Sequence, residues 1–213
     1  MTINIIDFWP QCFTPNTHSV TFSYAEVPNN AAFSAKFSYD SSTQSMVLNE
    51  YNSSGVWQDT WYLKNENGQV TEWRDDIPAS GLYELLGVQK IQEIYSSPII
   101  WGTQAVIGTT TPFEWSFNLP MTGSWPPQTS QSGVQEIVWE ELLPTFTLSN
   151  GKTYSNVLVQ VYQQKWTSGN FTGARWWMAK GIGPIAIQWM APNPNNPSEF
   201  IVEPRQDAVI IVN

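Results

Sequence analysis

Residues 151–189 read GKTYSNVLVQVYQQKWTSGNFTGARWWMAKGIGPIAIQW, and this stretch decides the fold class. Runs rich in Val, Tyr and Trp are broken by a polar glycine turn near Gly169 and by the bend Gly181-Ile182-Gly183. β-branched and aromatic runs bounded by turn residues are the mark of short antiparallel strands. Side chains alternate between the two sides of a strand. On residues 154–166 that alternation puts Val157, Val159 and Val161 on one face, expected to be an ordinary core. Tyr154, Leu158, Tyr162 and Trp166, interleaved with Asn156, Gln160 and Gln164, give an amphipathic face. A second layer covers that face, or it lines a cavity or groove.

The same signal continues outward in both directions. Residues 18–24, 35–39 and 45–51 read as strands, and 57–73 as a hairpin turning at Asn67-Gly68, residues that tolerate the two positive φ angles of a type I′ turn. Residues 81–95 are ambiguous, with a helical spacing of Leu82, Leu85 and Leu86 that gives way to strand-like alternation after Gly87. Residues 98–113 read as a connection. Strands then follow at 114–119, 134–142, 154–166, 174–179 and 184–189, with Pro-rich loops at 120–133 and 191–198. Residues 208–212 close the series as an apolar strand at an edge or in the interior. The expectation is one domain over residues 1–213, mainly β: an antiparallel barrel or sandwich-like curved sheet with at most one short helix.

Composition narrows the function classes. With 9 basic against 18 acidic residues the net charge is -9. Such a surface repels phosphate backbones, so no nucleic-acid partner is expected. Charged residues make up only 13%, about half the ~25% usual for soluble domains. No run approaches the roughly 18 apolar residues of a transmembrane helix. The first residues, MTINIIDFWPQCF, show neither the basic nor the long apolar region of a secretory signal. The compartment is left open, extracytoplasmic if a leader was removed. Cys12 is the one cysteine, expected to be a small buried hydrophobe.

Conventional catalytic sets are missing from the sequence. One histidine, His18, with Cys12 gives two metal ligands where three or four are needed, so no metal or other cofactor is expected. No G-x-S-x-G elbow accompanies it. Two carboxylates suffice for glycoside hydrolysis, but the adjacent pairs Asp75-Asp76 and Glu140-Glu141 point to opposite faces and read as solvated turn charges. Glu136 and Glu140 share a face and keep a hydrolase as one alternative.

Twelve tryptophans in 213 residues are the strongest compositional signal. Trp offers a large apolar face and one N–H, suited to cores, stacking platforms and membrane interfaces. Trp57, Trp73, Trp166 and Trp189, at strand ends, are expected to close the ends of a barrel or sandwich. Trp176 and Trp177 are adjacent and face opposite ways, with Arg175 and Lys180 beside them for cation–π contacts or ligand hydrogen bonds. Trp125 sits in the loop GSWPPQ. The candidate ligand-binding set is Trp125, Tyr162, Trp166, Arg175, Trp176, Trp177 and Lys180.

Three motifs together resemble bacterial envelope lipoprotein-like β proteins of undefined function. They are the strand pair around Tyr62, Leu63, Asn67-Gly68 and Val70, the segment Pro98-Ile99-Ile100-Trp101 followed by Ile107-Gly108, and Gly151-x-x-Tyr154-x-Asn156-Val157 with Ala179-Lys180-Gly181-Ile182-Gly183. The resemblance implies a curved antiparallel sheet around a core or cavity, and lipid or protein partners. The leading functional expectation is a non-enzymatic binding protein for an amphipathic ligand: a lipid, a glycan or a membrane-associated partner. A secreted toxin acting on membranes is the alternative from a different class.

Overall fold

Strand pairing around residues 151–189 extends into a sheet that returns on itself. The computed structural model describes residues 2–15, 19–25, 32–118, 130–169, 171–193 and 195–212. The first strands are β1 (Thr2–Asn4), β2 (Val20–Ala25), β3 (Ala32–Asp40), β4 (Ser45–Tyr51), β5 (Trp57–Glu66) and β6 (Gln69–Pro78). Then come β7 (Lys90–Gly102), β8 (Gln104–Val106), β9 (Thr110–Asn118), β10 (Ser130–Thr147) and β11 (Thr153–Trp166). The last are β12 (Phe171–Ala179), β13 (Gly183–Asn193), β14 (Asn196–Val202) and β15 (Gln206–Val212). One helical turn, α1 (Leu82–Leu85), and a 3-10 turn at Ile5–Phe8 are the described helical elements. No helix among the described residues is long and apolar enough to cross a membrane.

The order β12-β11-β10-β9-β7-β6-β5-β4-β3-β2-β15-β13, with β13 pairing back to β12, closes a barrel of 12 antiparallel strands. Most neighbours are hairpins, which local turn chemistry specifies. Asn67 (φ 56°) and Gly68 (φ 84°) turn β5 into β6 as the sequence predicts. One seam is not local: β15 lies between β2 and β13, with Ala208 opposite Tyr24 and Ala186 opposite Asp207. The last strand is therefore interior to the wall. β14 pairs with the far end of β13 as a flap outside the ring.

Three readings of the sequence change. Residues 98–113 are not a plain connection: 98–102 complete β7, 104–106 are β8 and 110–113 begin β9. In the stretch 191–198 read as a loop, 191–193 end β13 and 196–198 begin β14. The faces of β11 are also reversed. Leu158 and Tyr162 pack in the main core, and Val157 belongs to a smaller cluster outside the wall with Leu148, Tyr154 and Ala179. Asn156 adopts φ 53°, and Tyr154 before it joins Val157 in the outer cluster.

A barrel of about eight strands is just wide enough for side chains to fill, so twelve leave a space that ordinary aliphatic residues cannot span. Two devices fill it. The first is the segment before β2. Ile3, Ile5, Phe8, Trp9 and Cys12 are buried, and β1 pairs with β8 to form a two-stranded cap. The Gly181 N–H donates to the Asp7 carbonyl at 2.7 Å, and the Ile5 N–H to the Thr103 carbonyl at 3.0 Å, tying the plug to one end of the barrel. The second device is tryptophan. Trp9 lies with its ring centroid 5.7 Å from Trp101 and 6.1 Å from Trp176, so rings from plug and wall meet inside.

The plug depends on a glycine. At Gly183 φ is +108°, and a Cβ there would lie 2.6 Å from Pro10 Cγ. Gly183→Ala combines a left-handed backbone with a collision against the plug. We expect it to lower stability by about 3 kcal/mol, read as the urea midpoint at unchanged slope.

Candidate functional site

The end of the barrel away from the plug carries an acid wall. Glu50 on β4 pairs with Asp59 on β5, Trp61 on β5 with Asp75 on β6, and Asp75 with Glu93 on β7. Direct cross-strand partners share a face. Leu48 and Trp61, which lie on this face, pack in the main core, so these carboxyls point into the barrel. Glu72 joins them because of a bulge. Register slips between Tyr62 and Leu63 on β5 and between Glu72 and Arg74 on β6. The extra residue leaves Trp73 and Arg74 both outside, and Glu72 and Asp75 both inside.

Like charges placed directly opposite one another are destabilising. Burial first, and then the charge of Asp59, pushes Glu50 up to about 8 and Glu93 up to about 7. Burial and Asp59 push Glu72 up to about 8 against hydrogen bonds from Trp101 and Tyr95. Asp75 is raised well above the carboxylate range by burial and by its hydrogen bond to Asp59. Asp59 is raised by burial, opposed by the bonds it accepts from Asp75 and Trp61. Asp59 and Asp75 therefore share a proton. Glu50, Asp59, Asp75 and Glu93 are nonetheless only half-buried.

No basic residue offsets this wall. Of the nine Lys and Arg, Arg74 and Lys90 bind Asp76, Lys165 binds Glu136, Arg175 binds Glu140, Lys180 binds Asp7 and Arg205 binds Asp207. Lys64 and Lys152 lie over the rings of Trp73 and Tyr154. Lys36 is exposed on the outer face of β3. Asp75 and Asp76 are thus opposites. Asp76 is 1% exposed on the outer side; burial works to raise its carboxyl, but hydrogen bonds from Arg74, Lys90 and Tyr62 outweigh burial and hold it low. The reading of this pair as solvated turn charges fails at both residues.

Beside the acids stand three near-parallel indoles. Trp61 is 5.6 Å from Trp101 and 6.1 Å from Trp176, and Trp101 is 5.6 Å from Trp176, with interplanar angles of 13–22°. The Trp61 Nε1–H donates to Asp59 Oδ2 at 3.0 Å and the Trp101 Nε1–H to Glu72 Oε2 at 3.1 Å. Among the described residues the Trp176 Nε1–H has no hydrogen-bond partner, nor has the amide of Gln160, which is 1% exposed and pairs across the sheet with Trp139 and Trp176. A cavity of about 10 Å³ lies against Glu50, Leu48, Phe37 and Trp176, about one water in size. Gln164 and Gln135 form a second amide pair on β11 and β10 at 3.1 Å.

The candidate residues separate. Tyr162 and Trp176 are buried in the barrel interior, with rings 5.6 Å apart. They are not an exposed surface. Trp166 instead packs on Trp115, 4.7 Å between centroids, in a cleft of about 350 Å³ with Ser97, Glu114 and Lys165. Trp177 lies on the outer wall, stacked on Phe146. Arg175 and Lys180 make no cation–π contact with these tryptophans. Arg175 holds Glu140 through two nitrogens and also Gln188, Lys180 holds Asp7, and the cation over Trp177 is Arg205. Glu136 and Glu140, kept open as a hydrolase pair, are surface ion-pair partners. Trp73 is on the outer wall beside Tyr62 and closes no barrel end. Trp125 and His18 lie outside the described residues. Reading the sequence missed Glu50, Asp59, Glu72 and Glu93. The signal available was their position at the inward step of otherwise apolar alternations.

A carboxyl raised in the folded state binds a proton that the unfolded chain has released, so its stabilising effect is present at low pH and lost as pH rises through the folded value. Glu50 and Glu72 place that loss between their unfolded range, near 4.5, and about 8. The barrel should melt at least roughly 5 °C higher at pH 5 than at pH 8, checked by circular dichroism melts, and Glu50→Gln should flatten the profile. Among the described residues, no three Asp, Glu, His or Cys side chains are placed to hold a metal ion. No protein-family model, curated protein or solved structure matches this chain.

Proposed function

We propose that this barrel is a non-enzymatic binding protein that takes a small amphipathic molecule into a chamber between the indole stack and the barrel end away from the plug, opening from the one-water cavity beside Glu50 and Trp176. The observation that carries the reading is a pair of buried polar groups without a hydrogen-bond partner among the described residues, the Gln160 amide and the Trp176 N–H, in an aromatic interior. A buried amide without a hydrogen bond costs about 1–3 kcal/mol, and native proteins retain few such groups. Gln160 is the cross-strand partner of Trp176, whose ring stacks on Trp61, and Trp61 in turn donates to Asp59 of the acid wall. A molecule with an apolar body and a polar end complements both the rings and the acids.

The arrangement favours holding over cleaving. Asp59 and Asp75 are in direct hydrogen bond, whereas the two acids of a glycosidase stand about 5 Å or more apart with the sugar between them. Ligand sites are commonly concave and mostly apolar, with a few converging polar groups, and the chamber has this make-up.

The neutral fluorophore N-phenyl-1-naphthylamine tests the reading. The expected result is saturable one-to-one binding with energy transfer from the indoles. Gln160→Leu should trade function for stability, raising the melting temperature by about 3 °C while weakening the probe at least roughly fivefold, about 1 kcal/mol. A linear, unsaturable response in the parent protein, or unchanged affinity in Gln160→Leu, sinks the proposal.

A further inference from the structure

We propose that the chamber's ligand is an organic cation: a small ammonium compound with an aryl or alkyl body, its charge held among Glu50, Asp59, Asp75 and Glu93 beside the faces of Trp61 and Trp176. This rests on the chamber being a binding site, as proposed above. The argument begins from the charge inventory. Five inward carboxyls (Glu50, Asp59, Glu72, Asp75, Glu93) come from four consecutive strands, and all nine basic side chains are engaged or exposed elsewhere. A buried charge is tolerated when it is paired, and otherwise gives way to a proton. The wall is therefore set to exchange protons for a cation brought from outside. An anionic ligand such as a fatty acid meets only repulsion here.

Hydrogen-bonding capacity points the same way. Asp59 and Asp75 hydrogen-bond to one another, no basic side chain among the described residues donates to any of the five carboxyls, and an ionised carboxylate only accepts. A primary ammonium brings three donors and no acceptor. The indoles complete the match. A cation over an indole face is held by about 0.5–2 kcal/mol, more when desolvated, and Trp61 and Trp176 stack at an interplanar angle of 13° next to the acids. A bare metal ion fits less well, since no three of these side chains are placed to ligate one. The groups that face the site are Glu50 from β4, Asp59 from β5, Glu72 and Asp75 from β6, Glu93 and Tyr95 from β7, and Tyr162 from β11. None of them is cationic at any pH.

The test is calorimetric titration of the whole chain with ammonium and alcohol pairs matched in carbon skeleton: butyl, octyl, dodecyl and 2-phenylethyl, with 2-phenylethyltrimethylammonium as a permanent cation. The expected result is at least tenfold tighter binding of the ammonium member of the best pair. Glu50→Gln and Asp59→Asn should each lower that preference at least fivefold. Both variants remove a charge the fold holds at a cost, so they are expected to melt no lower than the parent, which separates lost binding from lost folding. Because the trimethylammonium probe cannot release a proton, its pH dependence reports the protein alone. Its affinity should rise with pH between 5.5 and 8.5, by up to roughly tenfold per pH unit for each proton displaced. Equal binding of cation and alcohol overturns the cation and leaves the chamber standing. Binding by no member of the panel overturns both. A cation preference unmoved by either variant overturns its placement at the acid wall.

Discussion

The width of a twelve-strand ring governs everything else in this molecule. Closing the sheet removes both exposed edges, which is its benefit. Closure also encloses a volume that Val, Leu and Ile cannot fill from the wall. The chain answers with its largest side chain and with its own first segment. Trp9, Trp101, Trp115 and Trp139 are among the largest fully buried side chains, and Ile5, Phe8 and Trp9 enter from one end. The high tryptophan content is first a packing solution. The acid wall lies at the other end.

The acid wall shows how one strand can carry two electrostatic regimes. Asp75 and Asp76 are neighbours, yet Asp76 is held by Arg74, Lys90 and Tyr62 on the outer side while Asp75 faces Asp59 and Glu93 within. The outer carboxyl stabilises the wall as an ion. The inner one is kept by a proton, at the expense of the fold's stability at neutral pH. Uncompensated acidic charge gathered in one place, in a protein that packs the rest of its interior with rings, is the pattern expected where function has been set against stability.

What the sequence discloses follows from what is local. Asn67-Gly68 and Gly181-Ile182-Gly183 announce their turns because positive φ is a property of single residues, and alternation announces the strands between them. The β class, the curved antiparallel sheet and the opposite facing of Trp176 and Trp177 were legible on those grounds. The inward acids were not. Whether Asp75 or Asp76 faces the interior is decided by a bulge near Trp73 that shifts the alternation by one residue, and nothing in the local sequence marks it. The plug was invisible for a different reason: a short apolar segment carries no mark of where it will lie until the ring around it exists. Adjacency in sequence suggested a tryptophan contact for Arg175 and Lys180, while Glu140 and Asp7, distant in the chain, are their ionic partners.

The seam between β2 and β15 has a bearing on how the molecule comes into being. Val20 pairs with Val212 and Tyr24 with Ala208, so the ring cannot close during synthesis until the last strand has emerged. Hairpins from β3 to β13 can assemble earlier as an open, curved sheet, its inner face exposed. The plug segment is made first and is present throughout. It can settle on that growing face before the walls meet, shielding tryptophans that would otherwise invite association with other chains. Topology of such long sequence separation slows folding. The segment that stoppers the finished ring also precedes the wall strands in the chain, and so is at hand while the inner face is still open.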